Sequence, residues 1–287
     1  IGAVLIGPTQ KGPAGVPTVV TSFSDFQAKF GDVTKNGSNG DSVQFLTSHA
    51  AEEYLKHSNT LTVVRILDGT FGPASATVDT GSGADDPNGG ASAFTLETLA
   101  DGAIMNNADA TVTTNNIIVN SGSKHNIRYE ISNRNVNKGT FTLLIRAGND
   151  NIKRKQTLET FTDLNLDPNS NNYIAKAIGD QRFSVRTDEN SNPFLQLTGS
   201  YPNKSRFVRV STVTSKTSDY LDENGTIRAS GASGSLPALG SGSSHGGFSG
   251  GLNGVSGFDA TGGRVGSAAD ATYNIYRYTR ICIINWC

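Results

Sequence analysis

The chain has 287 residues, with 24 Lys and Arg against 25 Asp and Glu, a formal charge of −1. That balance argues against a broad electrostatic attraction to nucleic acid, and the length admits two domains or one domain with a large insertion. Apolar residues reach only 36% while glycine contributes 33 residues, which suits loop-rich, β-containing structure better than a helical bundle. No stretch is long and apolar enough to span a bilayer. No basic segment leading into an apolar run marks secretion.

Taken in chain order, Ala3 to Ile6 reads as a short apolar strand, and Gly7-Pro8 through Gly15 as a turn-rich loop. Ser22 is placed to cap a helix that carries Phe23, Phe26 and Phe30 and stops at Gly31. Asp41 or Ser42 is expected to start a second helix, with Val43, Leu46, Ala50 and Tyr54 on one stripe. LTVVRIL, from Leu61 to Leu67, reads as a strand buried on both faces. Strand, helix, helix, strand makes residues 1–70 a small α/β layer.

From 71 to 126 polar spacers separate short runs (Ala93 to Leu96, Ala110 to Thr113, Ile117 to Asn120), so a β-rich inserted subdomain is expected. Residues 127–228 read as a mixed α/β domain. Ile127 to Ser132 and Thr140 to Arg146 form a hairpin around Asn133 to Gly139, the second strand half-buried through Phe141, Leu143 and Ile145. Gly148-Asn149-Asp150-Asn151 ends that strand. Thr157 is then expected to cap a helix whose Leu158, Phe161 and Leu164 share a face. Asp167-Pro168 interrupts it, and Asn169 or Ser170 starts another with Tyr173, Ile174, Ala177 and Ile178, stopped by Gly179.

Further strands are expected at Arg182 to Arg186, Phe194 to Thr198 and Arg206 to Val213. Residues 229–265 hold too much Gly and Ser to bury a core and read as loop or linker. Residues 266–287 form an atypical end with the only cysteines, Cys282 and Cys287, whose spacing is not C-x-x-C and which cannot complete a zinc site alone. The fold class expected is α+β.

Each candidate for chemistry is outweighed by a plainer account. Gly7 and Gly12 have P-loop spacing, but Pro13-Ala14 stand where Lys and Ser/Thr are required, so the phosphates would lack their cation. Gly242-Ser243-Ser244-His245-Gly246 matches G-x-S-x-G within a Gly/Ser tract that has neither the strand nor the helix of a nucleophile elbow. His49, Glu53 and His57 share one face of the second helix without further ligands. Asp219 to Gly225 resembles a calcium loop only in its ending, because Tyr220 takes the first-ligand place and Gly231 that of the bidentate glutamate. Lys153-Arg154-Lys155 reads as a solvated turn. Sequons at Asn36, Asn203 and Asn224 are expected by chance in an Asn-rich chain. No catalytic, cofactor-binding or metal-binding residue is assigned, the chain is not expected to be an enzyme, and no subunit-contact residue is named.

One set of segments is more specific. Phe141-Thr142-Leu143-Leu144-Ile145-Arg146, Leu158-Glu159, Leu166-Asp167-Pro168-Asn169-Ser170-Asn171-Asn172-Tyr173-Ile174 and Ile178-Gly179-Asp180 follow one another in order. They are preceded by Ile6-Gly7-Pro8-Thr9-Gln10-Lys11-Gly12-Pro13, Thr21 to Phe26, Phe30-Gly31 and Val63-Val64-Arg65. Gly199-Ser200-Tyr201-Pro202-Asn203-Lys204-Ser205 and Phe248 to Gly254 follow. In this order, over most of the chain, they resemble the contractile tail sheath proteins of bacteriophages.

The resemblance implies a structural protomer in the virion tail, assembled in host cytoplasm. Such protomers stack as helical rings around a tail tube and contract to drive the tube inward and deliver the genome. The partners implied are further protomers, the tube protein, and baseplate and tail-terminator proteins, with no direct nucleic acid, no membrane insertion and no cofactor. It also implies an extended arm before Ile1 and a conserved domain after the glycine-rich stretch. Without them the polypeptide as written is expected to be a soluble monomer or weak oligomer. Alternatives are the sheath of a phage-derived secretion or bacteriocin particle, and a surface-binding, adhesin-like β-module.

Overall fold

The computed structural model describes residues 2–33, 35–36, 42–43, 45–67, 71–81, 91–107, 122, 124–151, 153–190, 192–228, 235–239 and 246–253. The fold is α+β, with strands predominating and two hydrophobic cores.

The smaller core belongs to the first seventy residues. β1 (Ala3–Gly7) runs parallel to β5 (Leu61–Arg65), with Ala3 opposite Leu61 and Gly7 opposite Arg65, and β2 (Thr18–Val20) lies antiparallel on the far edge of β5. Alternate residues Ala3, Leu5, Leu61 and Val63 point into a core completed by Phe26, Phe30 and Ala51. α1 (Phe23–Phe30) begins and ends as expected. The Ser22 hydroxyl accepts the Asp25 N–H at 3.1 Å, and Gly31 closes the helix at φ 89°.

Two expectations in this unit are corrected. Only alternate side chains of β5 are fully buried, because both helices contribute to the same core rather than sandwiching the sheet. The second helix, α2 (Leu46–Leu55), starts later than Asp41: β4 (Ser42–Val43) is a short strand paired with β3 (Lys35–Asn36), and Phe45 is the N-cap. Its buried face is Thr47, Ser48 and Ala51, whereas Leu46 is exposed. Small residues win that face because α2 lies close on β1, with the Thr47 hydroxyl filling the space a Cβ at Gly7 would need.

The larger core is built by two sheets. β6 (Phe71–Asp79), β7 (Ser92–Asp101), β13 (Val208–Val213) and β14 (Leu252–Asn253) make an antiparallel sheet in the order β13-β7-β6-β14. β8 (Ile127–Asn135), β9 (Thr140–Ala147) and β10 (Thr157–Leu164) make the second, with β9 central. Phe94 of the first sheet stacks on Phe141 of the second at 5.9 Å between ring centres. Packing therefore runs across the expected 126/127 boundary, and β6 and β7 supply part of the shared core. The runs at 110–113 and 117–120, and the end from 254 to 287 with both cysteines, lie outside the described residues.

The β8–β9 hairpin forms where the alternation places it, although β9 is covered on most of both faces instead of half-buried. The expected helix from Thr157 is a strand. Three threonines and Phe161 within eight residues favour the extended chain, and β9 offers an open edge that pairs Thr160 with Leu144 and Phe161 with Leu143. α3 (Ile174–Ile178) is shorter than expected, capped by Tyr173 and ended by Gly179 at φ 110°, where the Asn203 backbone leaves no room for a Cβ.

The Gly/Ser-rich stretch is also corrected. Leu236 and Phe248 are fully buried, Ser249 exchanges backbone hydrogen bonds of 2.8 and 2.9 Å with Ser75, and Leu252 pairs with Gly72. Strand pairing needs only backbone groups, so a few large apolar anchors suffice for a tract otherwise without side-chain bulk. Phe248→Ala is expected to cost about 3–5 kcal/mol of unfolding free energy in urea titrations; a change under about 1 kcal/mol would contradict the burial.

Candidate interaction surface

A knot of buried charge joins the two cores. Arg65 ends β5 with its guanidinium inside the protein, donating from Nε to Thr9 O at 3.2 Å and from Nη1 to Gly12 O and Asp101 O at 2.7 and 2.8 Å. Asp101, at the end of β7, accepts the Ala14 N–H at 2.9 Å and gives its own N–H to Gly12 O at 3.1 Å. Burial pulls Arg65 down to about 10, partly offset by the Asp101 charge. Burial likewise raises the Asp101 carboxyl, against the pull of the Ala14 N–H and the Arg182 and Arg65 cations.

The same aspartate anchors a projection. Arg182 reaches Asp101 at 3.7 Å and Glu97 at 3.3 Å, and Arg209 reaches Glu97 at 2.5 Å. From that root rise β11 (Arg182–Thr187) and β12 (Pro193–Thr198), which pair with each other and with no other named strand. Register places Phe183 opposite Leu197 and Val185 opposite Leu195, so one face of the hairpin is apolar. Those four side chains are 40 to 51% exposed, on a surface that elsewhere shows large apolar residues singly. Asp188 organises the tip, accepting the N–H groups of Asn190 and Asn192 at 2.9 and 2.7 Å.

Between the cores lies a cleft of about 380 Å³, continuous through Lys11, Ala28, His125, Ile127 and Phe207 with a second pocket of about 200 Å³. Lys11 and Lys124 face it, with Arg206 at the second pocket. Among the described residues the Lys11 ammonium has no hydrogen-bond acceptor, and burial lowers its pKa. His125 is pulled down to about 4, first by burial and then by the Lys11 and Lys124 charges, against the attraction of Asp32. The Gln10 amide nitrogen lies 3.1 Å from His125 Nε2, a hydrogen bond that a neutral imidazole accepts. The Gln27 amide, chiefly, holds the Asp32 carboxyl below its usual range.

A second cluster of buried charge lies within the β8–β9 sheet. Arg128 and Arg146 sit opposite each other, and Asp150 lies between them, 3.4 Å from Arg128 Nε and 2.7 Å from Arg146 Nε. Glu130 takes Arg146 at 2.8 Å and Lys155 at 2.6 Å. The cluster pins the Gly148–Asn151 turn. Its arginines read in sequence as the solvent-facing positions of alternating strands, so nothing there signalled burial.

The motif candidates do not converge on a site. Gly7 ends β1 against Thr47, and a strand rather than a helix follows the loop. His49 faces Glu52 at 3.8 Å while Glu53 pairs with Lys56 at 2.6 Å, and His57 lies beyond the end of α2. Among the described residues no three His, Cys, Asp or Glu are placed to hold a metal ion. Asp222 Oδ1 accepts the Asn224 and Thr226 N–H groups, both at 2.8 Å, which makes 219–225 a turn closed by one bridge, Leu221 to Ile227. Asn203 is bonded in both directions to the Gln181 backbone, Asn36 lies in the short strand before α2, and Asn224 in the turn. Lys155 spends its charge on Glu130. Ser244 and His245 lie outside the described residues. Among the described residues no helix is long and apolar enough to cross a membrane.

No protein-family model matches the chain, and no curated protein matches it either.

Two outcomes are expected. Arg65→Met takes the guanidinium donors from three carbonyls, of which Gly12 O keeps the Asp101 N–H, and leaves Asp101 without its neighbour, a loss of about 3–5 kcal/mol in chemical denaturation; a loss below about 1 kcal/mol would show the knot to be dispensable. His125 has a folded pKa below its unfolded value, so its stabilisation is whole above pH 6.5 and drains as pH falls toward 4. The melting temperature of the native chain is expected to fall across that window more steeply than that of His125→Gln. Parallel curves would remove His125 as the cause.

Proposed function

We propose that this chain is a structural protomer of a contractile phage tail sheath. It would polymerise around the tail tube and contract to drive tube penetration and genome delivery. The observation that carries the proposal is that sheath-like segments distant in sequence interlock in space. Arg65 of Val63-Val64-Arg65 grips the Gly7 to Pro13 loop. Glu159 of Leu158-Glu159 accepts the Ser205 hydroxyl at 2.6 Å. Asp180 of Ile178-Gly179-Asp180 accepts the N–H groups of Ser200 and Tyr201 at 2.8 and 2.6 Å, and Lys204 N–H reaches Ile178 O at 2.8 Å. The resembling segments thus include residues that join parts of the chain distant in sequence, alongside exposed loops such as 199–204.

A protomer of this kind works by fit. In the extended sleeve, copies of a rigid unit are held in a packing of higher free energy. Release lets interfaces re-form in a lower one, with no nucleotide consumed. The apolar hairpin face supports such a role, since covering four half-exposed side chains gives on the order of 1 kcal/mol each. The same geometry would serve the sleeve of a phage-derived secretion or bacteriocin particle.

Gold-labelled antibody raised against the chain and imaged by negative stain on native particles tests this. Label is expected along the whole outer sleeve before contraction, and along the shortened sleeve afterwards. Label confined to fibres or the tail tip would favour the adhesin-like alternative. Particles without label would end the proposal.

A further inference from the structure

The cleft and the hairpin carry complementary chemistry on different parts of the surface. The cleft presents Lys11, Lys124 and Arg206, with Lys29 at its edge already paired to Asp25, against one lining carboxylate, Asp32, and has apolar walls from Ile127, Leu158 and Phe207. With His125 uncharged at neutral pH, its formal balance is positive, and the Lys11 ammonium has no hydrogen-bond acceptor among the described residues. A half-buried ammonium without an acceptor is costly, and an incoming carboxylate relieves that cost.

The hairpin offers the counterpart. Its tip carries Asp188 and Glu189, but Asp188 is engaged with the turn through both oxygens, to Asn190 N, Asn192 N and Asn192 Nδ2. Glu189 is exposed and has no partner among the described residues, while the exposed Arg186 lies below the tip on the face opposite the apolar pairs. Behind it run the apolar cross-strand pairs Phe183–Leu197 and Val185–Leu195. Six-residue strands rise about 20 Å, so the tip lies well beyond the lower hairpin, where Phe183 and Val185 lie against the Pro13 to Val16 loop.

We propose that the Lys11–Lys124 cleft of one copy receives the Glu189-bearing tip of the β11–β12 hairpin of a second copy of this chain. The occupant is a second copy because the acid-tipped, apolar-flanked element that matches a basic, apolar-walled cleft is present on the chain itself. The contact is heterologous, one surface meeting a different one, so repetition gives a ring or an open helix and not a closed two-fold pair. It rests on the self-assembling role proposed above and names the surfaces that would carry it. The interface is charge-steered, so association weakens as salt shortens the screening length to about 8 Å at physiological strength.

The test is sedimentation velocity of the full chain across a wide concentration range at low salt. Glu189 and Lys124 are both exposed, and unchanged melting temperatures would confirm that their variants fold. Glu189→Lys and Lys124→Glu are each expected to weaken self-association at least about tenfold, and the two combined in one chain to restore most of it. If the reversals perturb the melting temperature, Glu189→Gln serves instead, with a smaller loss expected in the same direction. The inference is overturned if the chain stays monomeric at every concentration, if the single variants associate as the native chain does, or if the double reversal recovers nothing. It is equally overturned if inorganic phosphate fills the cleft without competing with association, which would make it a free-anion site. Gold label along the sleeve with silent charge reversals would remove this contact and leave the sheath role. Responsive charge reversals with an unlabelled sleeve would do the opposite.

Discussion

Arg65 sits where the two halves of the molecule meet, and most of the remaining geometry follows from how its charge is buried. A guanidinium taken out of water needs acceptors on every side. Here they come from two carbonyls of the Thr9 to Gly12 loop and one at the end of β7. That requirement fixes the loop against β5, the end of β7 against the loop and, through the Asp101 carboxylate, the root of the β11–β12 hairpin. The smaller core shares no buried apolar residue with the larger one, so this polar joint holds them in register. A joint of this kind specifies one arrangement more strictly than an apolar contact, since a displacement of an ångström or two leaves several buried groups unpaired.

The hairpin gains its meaning from that anchorage. A two-stranded sheet by itself is marginal in water, and among the described residues β11 and β12 have no third strand. What holds the pair is its root, where Arg182 and Arg209 converge on Glu97 and where the Asp180 carboxylate and the Asn203 amide bind the backbone of the neighbouring segment. An apolar face kept exposed on a firmly rooted projection keeps much of the ordering entropy out of the cost of association. The charge clusters at Asp101 and at Asp150 thus act alike: each fixes a turn or a root from within, so that the surface beyond it is rigid.

Much of this was legible in the residues. Strong local signals survived: Ser22 and Gly31 bracketing three phenylalanines at helical spacing, the alternation of β1, and Gly179 stopping α3. The failures came where a partner distant in sequence outweighed local spacing. Leu158, Phe161 and Leu164 fit a helical face, yet the open edge of β9 draws the segment into a strand that its threonines already tolerate. Val43 and Leu46 looked like the start of a helical stripe, but the close approach of α2 to Gly7 selects Thr47, Ser48 and Ala51 for the inward face. Composition misled most in the Gly/Ser tract, because backbone pairing is blind to side-chain size and Leu236 and Phe248 supply the anchors. Buried arginines such as Arg146 carry no local mark at all, since their counter-charges arrive from a turn and a neighbouring strand.

A protein that does mechanical work by changing neighbours needs interior and surface to differ sharply in stiffness of purpose. The interior must not yield, or strain stored between copies would relax within each copy instead of moving it. Close-packed cores and satisfied polar joints meet that demand, because they pass from one arrangement to another only discretely. The surface, by contrast, must bind well enough to assemble and weakly enough to be exchanged. Partly exposed apolar pairs and screened charges have that intermediate strength, about 1 kcal/mol apiece. The division seen here, with fully buried arginines inside and a half-exposed apolar hairpin outside, is the distribution of strengths that the role proposed above would call for.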